Sequence, residues 1–163
     1  MNRTICALCL AGMLALTIGG CGGDSASGGS TQQAANSEAP GIAVISAKRI
    51  PDFAEVLVNS RGRTLYVFED DKASPGGPSS ACYGACAEDW PPLLTEGEPE
   101  AENGAFPTKL GTFERKDGSL QVTYHGHPLY IYVGDKGTGD RNGYGVTAFG
   151  GRWYAIRPNG KKY

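Results

Sequence analysis

The chain has 163 residues, 15 Lys or Arg against 17 Asp or Glu, a formal net charge of −2, and 25 glycines. Near-balanced charge without a basic run argues against nucleic acid as a partner, because such binders carry a clustered basic surface. The length suits one domain behind a short leader, and glycine scattered between short apolar runs fits an all-β chain with many turns.

Met1-Asn2-Arg3 gives a positive start, and residues 4–18 form an apolar run without charge. Crossing a bilayer takes about 20 apolar residues. This run has instead the length of a signal-peptide core, so residues 1–20 are expected to be a signal peptide. It ends in Leu16-Thr17-Ile18-Gly19-Gly20-Cys21, which resembles a bacterial lipobox with Ile18 in place of the more usual Leu. That pattern implies diacylglycerol on Cys21 through a thioether, cleavage before it, and acylation of the new amine. Two or three chains, palmitate among them, anchor stably at about 0.8 kcal/mol per buried CH2. An uncleaved signal anchor or an ordinary secretory peptide is the plainer alternative. Residues 21–41 then hold the lipidated Cys and a polar, small-residue linker that has no apolar period and reads as a flexible tether. The expected location is an exported, membrane-anchored lipoprotein, at the outer membrane if the organism has one, because Gly22 and not Asp follows the Cys, and otherwise at the cell surface. Cys6 and Cys9 leave with the leader, so only Cys82 and Cys86 remain as thiols in an oxidising setting.

Residues 42–163 read as the folded part. A first strand is expected at 42–45 and a loop with Pro51 at 48–54. Val56-Leu57-Val58 and residues 64–68 flank Asn59-Ser60-Arg61-Gly62 and read as a hairpin. Residues 85–90 offer the one turn of helix, ended by Pro91-Pro92. A second hairpin joins 113–115 to 120–124 over Asp117-Gly118. Strands are expected at 129–133 and 153–156, and loops at 73–80, 95–104 and 134–145.

One stretch occurs twice. Residues 61–71, RGRTLYVFEDD, return as 125–135, HGHPLYIYVGD, with Gly62, Leu65, Tyr66, Phe68 and Asp71 each displaced by 64 residues to Gly126, Leu129, Tyr130, Tyr132 and Asp135. Trp90 and Trp153 follow at nearly equal distances. A fixed offset over so many positions marks a duplication, with repeats at about 55–93 and 119–156 in one pseudo-twofold β domain. Residues two apart in a strand share a face, so Tyr66 and Phe68 point one way and Leu65 and Val67 the other, as do Tyr130 and Tyr132 against Leu129 and Ile131. Strands apolar on both faces demand cover on both, which a sandwich or a closed sheet supplies.

With this repeat, the lipobox and Cys82-Tyr83-Gly84-Ala85-Cys86-Ala87-Glu88-Asp89-Trp90-Pro91-Pro92-Leu93, the chain resembles the bacterial lipoproteins of the secreted repeat of unknown function, described by a Tyr-x-(Phe/Trp/Tyr)-x-x-Asp motif. Tyr66, Phe68 and Asp71 match one motif, and Tyr130, Tyr132 and Asp135 the other, within a likeness that spans about residues 55–155. The resemblance implies an envelope location and a repeat architecture, and it brings no reaction.

Each motif has two readings. The aromatic-and-carboxylate motif could grip a sugar or peptide. Alternatively it packs a core, with each Asp holding a nearby backbone N–H or a buried Tyr hydroxyl. Two copies fit fold symmetry better than two identical sites. Cys82 and Cys86 form either a disulfide or a copper or redox pair with His125 and His127 as extra ligands. As a disulfide the short loop is worth about 2 kcal/mol. Helical side chains four apart start about 5–6 Å apart at Cβ, against about 3.8 Å in a disulfide, so the bond requires a distorted turn, which Gly84 permits. The metal reading is weakened because Met1 and Met13 are both lost with the leader, and because Arg61 and Arg63 stand where the second copy has its histidines. Asp135, Asp140 and Asn142 offer oxygen ligands without the order or the bidentate Glu of a calcium loop. Glu69-Asp70-Asp71 and Glu88-Asp89 are carboxylate clusters, yet no serine-hydrolase elbow, phosphate loop or zinc-protease motif occurs. The sequence thus leads to a non-enzymatic envelope lipoprotein without a cofactor, binding a cell-wall, glycan or protein partner or serving as architecture. A copper or redox protein built on Cys82 and Cys86 is the alternative.

Overall fold

The computed structural model describes residues 41–74 and 77–163; the expected signal peptide, Cys21 and nearly all of the expected linker lie outside the described residues. In chain order the elements are β1 (Val44–Arg49), β2 (Glu55–Asn59), β3 (Tyr66–Phe68), β4 (Lys72–Ser74), β5 (Gly77–Ser79), α1 (Ala85–Asp89), β6 (Glu100–Glu102), a 3-10 turn (Pro107–Lys109), β7 (Leu110–Glu114), β8 (Leu120–Tyr124), β9 (His127–Pro128), β10 (Thr147–Ala148) and β11 (Gly151–Ala155). They form four small sheets, ordered β2-β1-β6, β10-β11-β3, β4-β5 and β7-β8-β9. Among the described strands only β1 and β6 run parallel. The described residues are therefore all-β apart from one short helix and the 3-10 turn, and they form no closed barrel.

Several boundaries differ from the sequence reading. β1 starts at Val44 and runs through Lys48 to Arg49, because Ile45 and Ala47 face the core while Ser46 and Lys48 alternate with them. Two expected loops contain strands: residues 73–80 hold most of the β4–β5 hairpin, and β6 lies within 95–104. In β6 the alternation of Glu100, Ala101 and Glu102 turns Ala101 toward the core. The hairpin at 56–68 closes only as a bridge from Val58 to Thr64. Beyond it β2 pairs with β1, and β3 leaves to pair with β11, Trp153 opposite Phe68. Residues 129–133 form no strand. Tyr130 alone bridges, to Tyr66 and to Pro92, since prolines at 91, 92 and 128 lack the N–H donors a longer ladder requires. The hairpin of β7 and β8 and the helix ended by Pro91-Pro92 stand as expected.

Two cores lie on opposite sides of the two repeated segments, 65–68 and 129–132. Leu65, Val67, Leu129 and Ile131 enter an aliphatic core with Ile45, Leu57, Leu93, Val122, Tyr124 and Ile156. Tyr66, Phe68 and Tyr130 enter an aromatic core with Trp90, Trp153, Cys82 and Cys86, and Tyr132 packs against its edge. The copies meet through reciprocal backbone bonds: Tyr66 N–H to the Tyr130 carbonyl at 2.9 Å, and Tyr130 N–H to the Tyr66 carbonyl at 3.0 Å. Leu93 N–H reaches the Leu129 carbonyl, and its counterpart Ile156 N–H reaches the Leu65 carbonyl.

Candidate functional site

The repeated motif closes on itself across the two copies. Tyr66 donates its hydroxyl to Asp135 Oδ2 at 2.7 Å, and Tyr130 donates to Asp71 Oδ2 at 2.7 Å. Each aspartate accepts a backbone N–H on its other oxygen, from Asn142 to Asp135 and from Ala81 to Asp71, both at 2.8 Å. Thus the tyrosine of one copy satisfies the aspartate of the other. Burial raises both phenols above the ordinary tyrosine range, and the neighbouring carboxylates add to this, so the hydroxyls remain protonated donors. Burial also pushes Asp71 up to about 6, against the pull of the Ala81 N–H, Tyr130 and Arg115. Asp135 shifts upward for the same first reason.

The aromatic rings repeat this exchange. Phe68 stacks on Trp153 with centroids 4.4 Å apart, Trp153 on Trp90 at 3.9 Å, and Trp90 on Tyr132 at 4.2 Å. Tyr66 meets Trp90 edge-on at 5.4 Å, and Tyr130 meets Trp153 edge-on at 5.2 Å. The pattern is unchanged when the copies are swapped, with the axis passing between the two indoles. Edge and stacked pairs add about 0.5–1.5 kcal/mol each beyond burial. Trp90, Trp153, Tyr66, Phe68 and Tyr130 are all buried, which leaves their rings no open face for a ligand.

Cys82 and Cys86 form a buried disulfide, with Cα atoms 5.2 Å apart. Gly84, with φ at +57°, turns the chain between them, and α1 begins only at Ala85. Beside the disulfide lies a polar network that the sequence did not reveal. Arg115, 4% exposed, donates to the Cys82 carbonyl at 2.8 Å, to Ser80 Oγ at 3.3 Å and to Gln121 Oε1. Ser80 Oγ lies 2.8 Å from the Tyr130 hydroxyl, which ties this network to Asp71. An arginine before a Lys-Asp-Gly turn reads as a surface charge, and nothing in its spacing points inward.

The remaining candidates fall elsewhere. His125 is exposed, with Nδ1 3.4 Å from Lys109 Nζ. His127 is half-buried and its Nδ1 has no partner among the described residues; burial, then Lys162 and His125, hold it below the usual histidine range. No group of three or more His, Cys, Asp or Glu side chains able to hold a metal ion occurs among the described residues. Asp140 Oδ2 accepts the N–H groups of Lys136 and Gly137 at 2.8 Å each, which lowers its pKa and organises the 134–145 loop from within. Glu69 accepts the Arg152 N–H, and Glu88 and Asp89 lie exposed on α1.

Taken together, these features define a duplicated all-β domain whose copies interlock through exchanged tyrosine–aspartate pairs and one shared indole stack. Residues 53–94 and 111–157, more than half of the chain, match the family described as a secreted repeat of unknown function. The chain belongs to that family, which makes it an exported protein. No curated protein and no solved structure matches it.

Proposed function

We propose that the protein is a cell-envelope lipoprotein, anchored through Cys21, whose β domain is a non-enzymatic binding or structural module for a cell-wall, glycan or protein partner. The observation that carries this reading is the exchange of Tyr66 and Tyr130 between the copies. The most distinctive residues of the family motif are used in holding the domain together, so the motif serves the scaffold and recognition falls to the parts that differ between copies. The lipobox, the tether and the secreted family support the envelope location. Cys21→Ser is expected to move the protein from the membrane fraction to the soluble exported fraction; retention in the membrane would remove the anchor from the proposal. Cross-linking in cells should then join the wild-type domain to an envelope component, and turnover in a broad hydrolase screen would speak for an enzyme instead.

The second reading is a copper or redox role for Cys82 and Cys86, beside which Arg115 and Ser80 place polar groups at the Cys82 carbonyl and not at the sulfurs. Thiol titration before and after mild reduction, with Cu(I) competition, separates the readings. Reversible thiols with tight copper uptake would promote the second, and an inert disulfide would remove it.

A further inference from the structure

One face of the domain brings arginines together with open aromatic rings. Phe53, Tyr144 and Tyr163 form a triad, with centroids 4.9 Å apart for Phe53 and Tyr144, 4.4 Å for Phe53 and Tyr163, and 5.4 Å for Tyr144 and Tyr163. The Arg141 guanidinium lies 4.9 Å from the Phe53 ring centre, and that of Arg157 lies 4.8 Å from Tyr163. A guanidinium stacked through its face keeps its N–H donors in the plane, free to fork onto a carboxylate or phosphate. Arg157 also lines a surface groove of about 370 Å³ with Arg49, Glu55, Phe106, Pro158 and Asn159. The charged lining is two arginines against one glutamate, in a chain whose acids outnumber its bases 17 to 15. Phe106 is 48% exposed and Tyr144 39%, so both rings offer a face to solvent.

Phe53 and Tyr163 rest one side on the aromatic core, but the repeat symmetry does not demand this face. At the 64-residue repeat offset Phe53 corresponds to Asp117, and Tyr144 to Ser80. Arg141 and Arg157 likewise face Gly77 and Leu93 at that offset, so the first copy's Phe53 and the second copy's Arg141, Tyr144 and Arg157 have no like residue in the other copy, whereas the residues at the heart of the two cores recur in both.

We propose that this face binds an anionic cell-surface glycan. Aromatic rings take the apolar C–H faces of sugar rings, and the arginines take the acid groups that such polymers carry. A neutral glycan would offer the guanidiniums only hydroxyl acceptors, without the charge and fork geometry of a carboxylate or phosphate, and acidic peptide side chains would leave the exposed rings without a matching flat surface. The inference rests on the envelope reading and deepens it. Carboxylate and phosphate polymers share this chemistry and are told apart by the test.

The experiment is calorimetric titration of the full-length protein in detergent with polygalacturonate, a phosphomannan and neutral dextran. Binding to at least one polyanion, weakening with salt, is expected, with none to dextran; the tighter polyanion identifies the acid group. Arg49→Gln with Arg157→Gln should weaken binding about tenfold or more, since charge-assisted hydrogen bonds are lost. Tyr144→Ala should weaken it severalfold, and Glu55→Gln should tighten it. All four positions lie outside the two cores, and an unchanged far-ultraviolet spectrum with a cooperative thermal transition shows that the fold is retained. Failure of both polyanions to bind, equal binding of dextran, or indifference to the arginine substitutions overturns the proposal. An envelope cross-link that survives such a failure leaves the envelope reading standing, whereas loss of membrane attachment in the wild-type chain strikes that reading alone.

Discussion

Tyr66 and Tyr130 each complete the other copy's aspartate, and this makes single hydroxyl groups consequential. Tyr66→Phe leaves Asp135 Oδ2 buried without its donor while the ring packing stays. A buried acceptor stripped of its partner costs about 1–3 kcal/mol, so the urea midpoint should fall accordingly; an unchanged midpoint would show that water reaches Asp135. Asp71 carries the second prediction at this scale. Its folded pKa, about 6, stands above the ordinary value of 3.8 because burial disfavours the charge. The fold therefore binds the proton more tightly than the unfolded chain. This contribution is fully present below about 3.8 and is lost as pH rises through about 6, a loss on the order of 3 kcal/mol. Asp71→Asn removes it. The amide can keep the Ala81 N–H on its oxygen and donate to the Tyr130 hydroxyl, whose proton then turns to Ser80. The melting temperature of the variant relative to the wild type should rise between pH 4 and pH 7, and a pH-independent difference would contradict the assignment. At this scale the sequence was partly legible. The motif's tyrosines and aspartates stood out through repetition, and a tyrosine–aspartate bond was one of the expected pairings. The crossing between copies was hidden, because the bonded partners lie 69 and 59 residues apart.

At the scale of elements, short local signals read well and distant pairing did not. The Asp-Gly turn set β7 against β8, and Pro91-Pro92 stopped α1, because both depend on neighbours in the chain. β3 looked like the second arm of a hairpin with β2, yet its aromatic face requires Trp153, so it pairs with β11 instead. The local turn forms, with the Gly62 N–H on the Asn59 carbonyl, and tertiary packing redirects the strand beyond it. The 134–145 loop shows the same dependence. Gly143 sits where an added Cβ would come within 2.7 Å of the Trp90 ring and 2.9 Å of Tyr66. Both rings are fixed in the stack and have little room to give. Gly143→Ala is therefore expected to destabilise by about 1–3 kcal/mol, as overpacking does. Guanidinium unfolding measures this directly. A neutral result would mean that the loop moves away from Trp90 easily. In contrast, Gly139 has nothing within 4 Å of an added Cβ, though its φ of +84° already favours glycine, so Gly139→Ala separates backbone strain from ring contact in one loop.

The whole molecule follows from how the two copies share their cores. In many duplicated proteins each copy buries its own apolar face, and the copies then dock. Here β3 of the first copy pairs with β11 of the second, Trp90 stacks between Trp153 and Tyr132, and both aspartates take their hydroxyl from the opposite copy. Neither half contains a complete aromatic core. A fragment of half this size also buries too small a fraction of its surface to be stable alone. Separating the chain in the loop between β6 and the 3-10 turn, into residues 1–105 and 106–163, should therefore give two fragments that lack a cooperative unfolding transition and a structured near-ultraviolet signal. Mixed or co-expressed, they should regain both, because the Trp90–Trp153 contact at 3.9 Å forms only when one indole comes from each fragment. Trp153→Leu in the second fragment should weaken that recovery, since it removes the stack from Phe68 and Trp90 together. A first fragment that folds alone would show that the copies are independent modules. Recovery only with both fragments places the boundary of the smallest stable unit around the pair, so any binding face carried by one copy depends on the other copy for its shape.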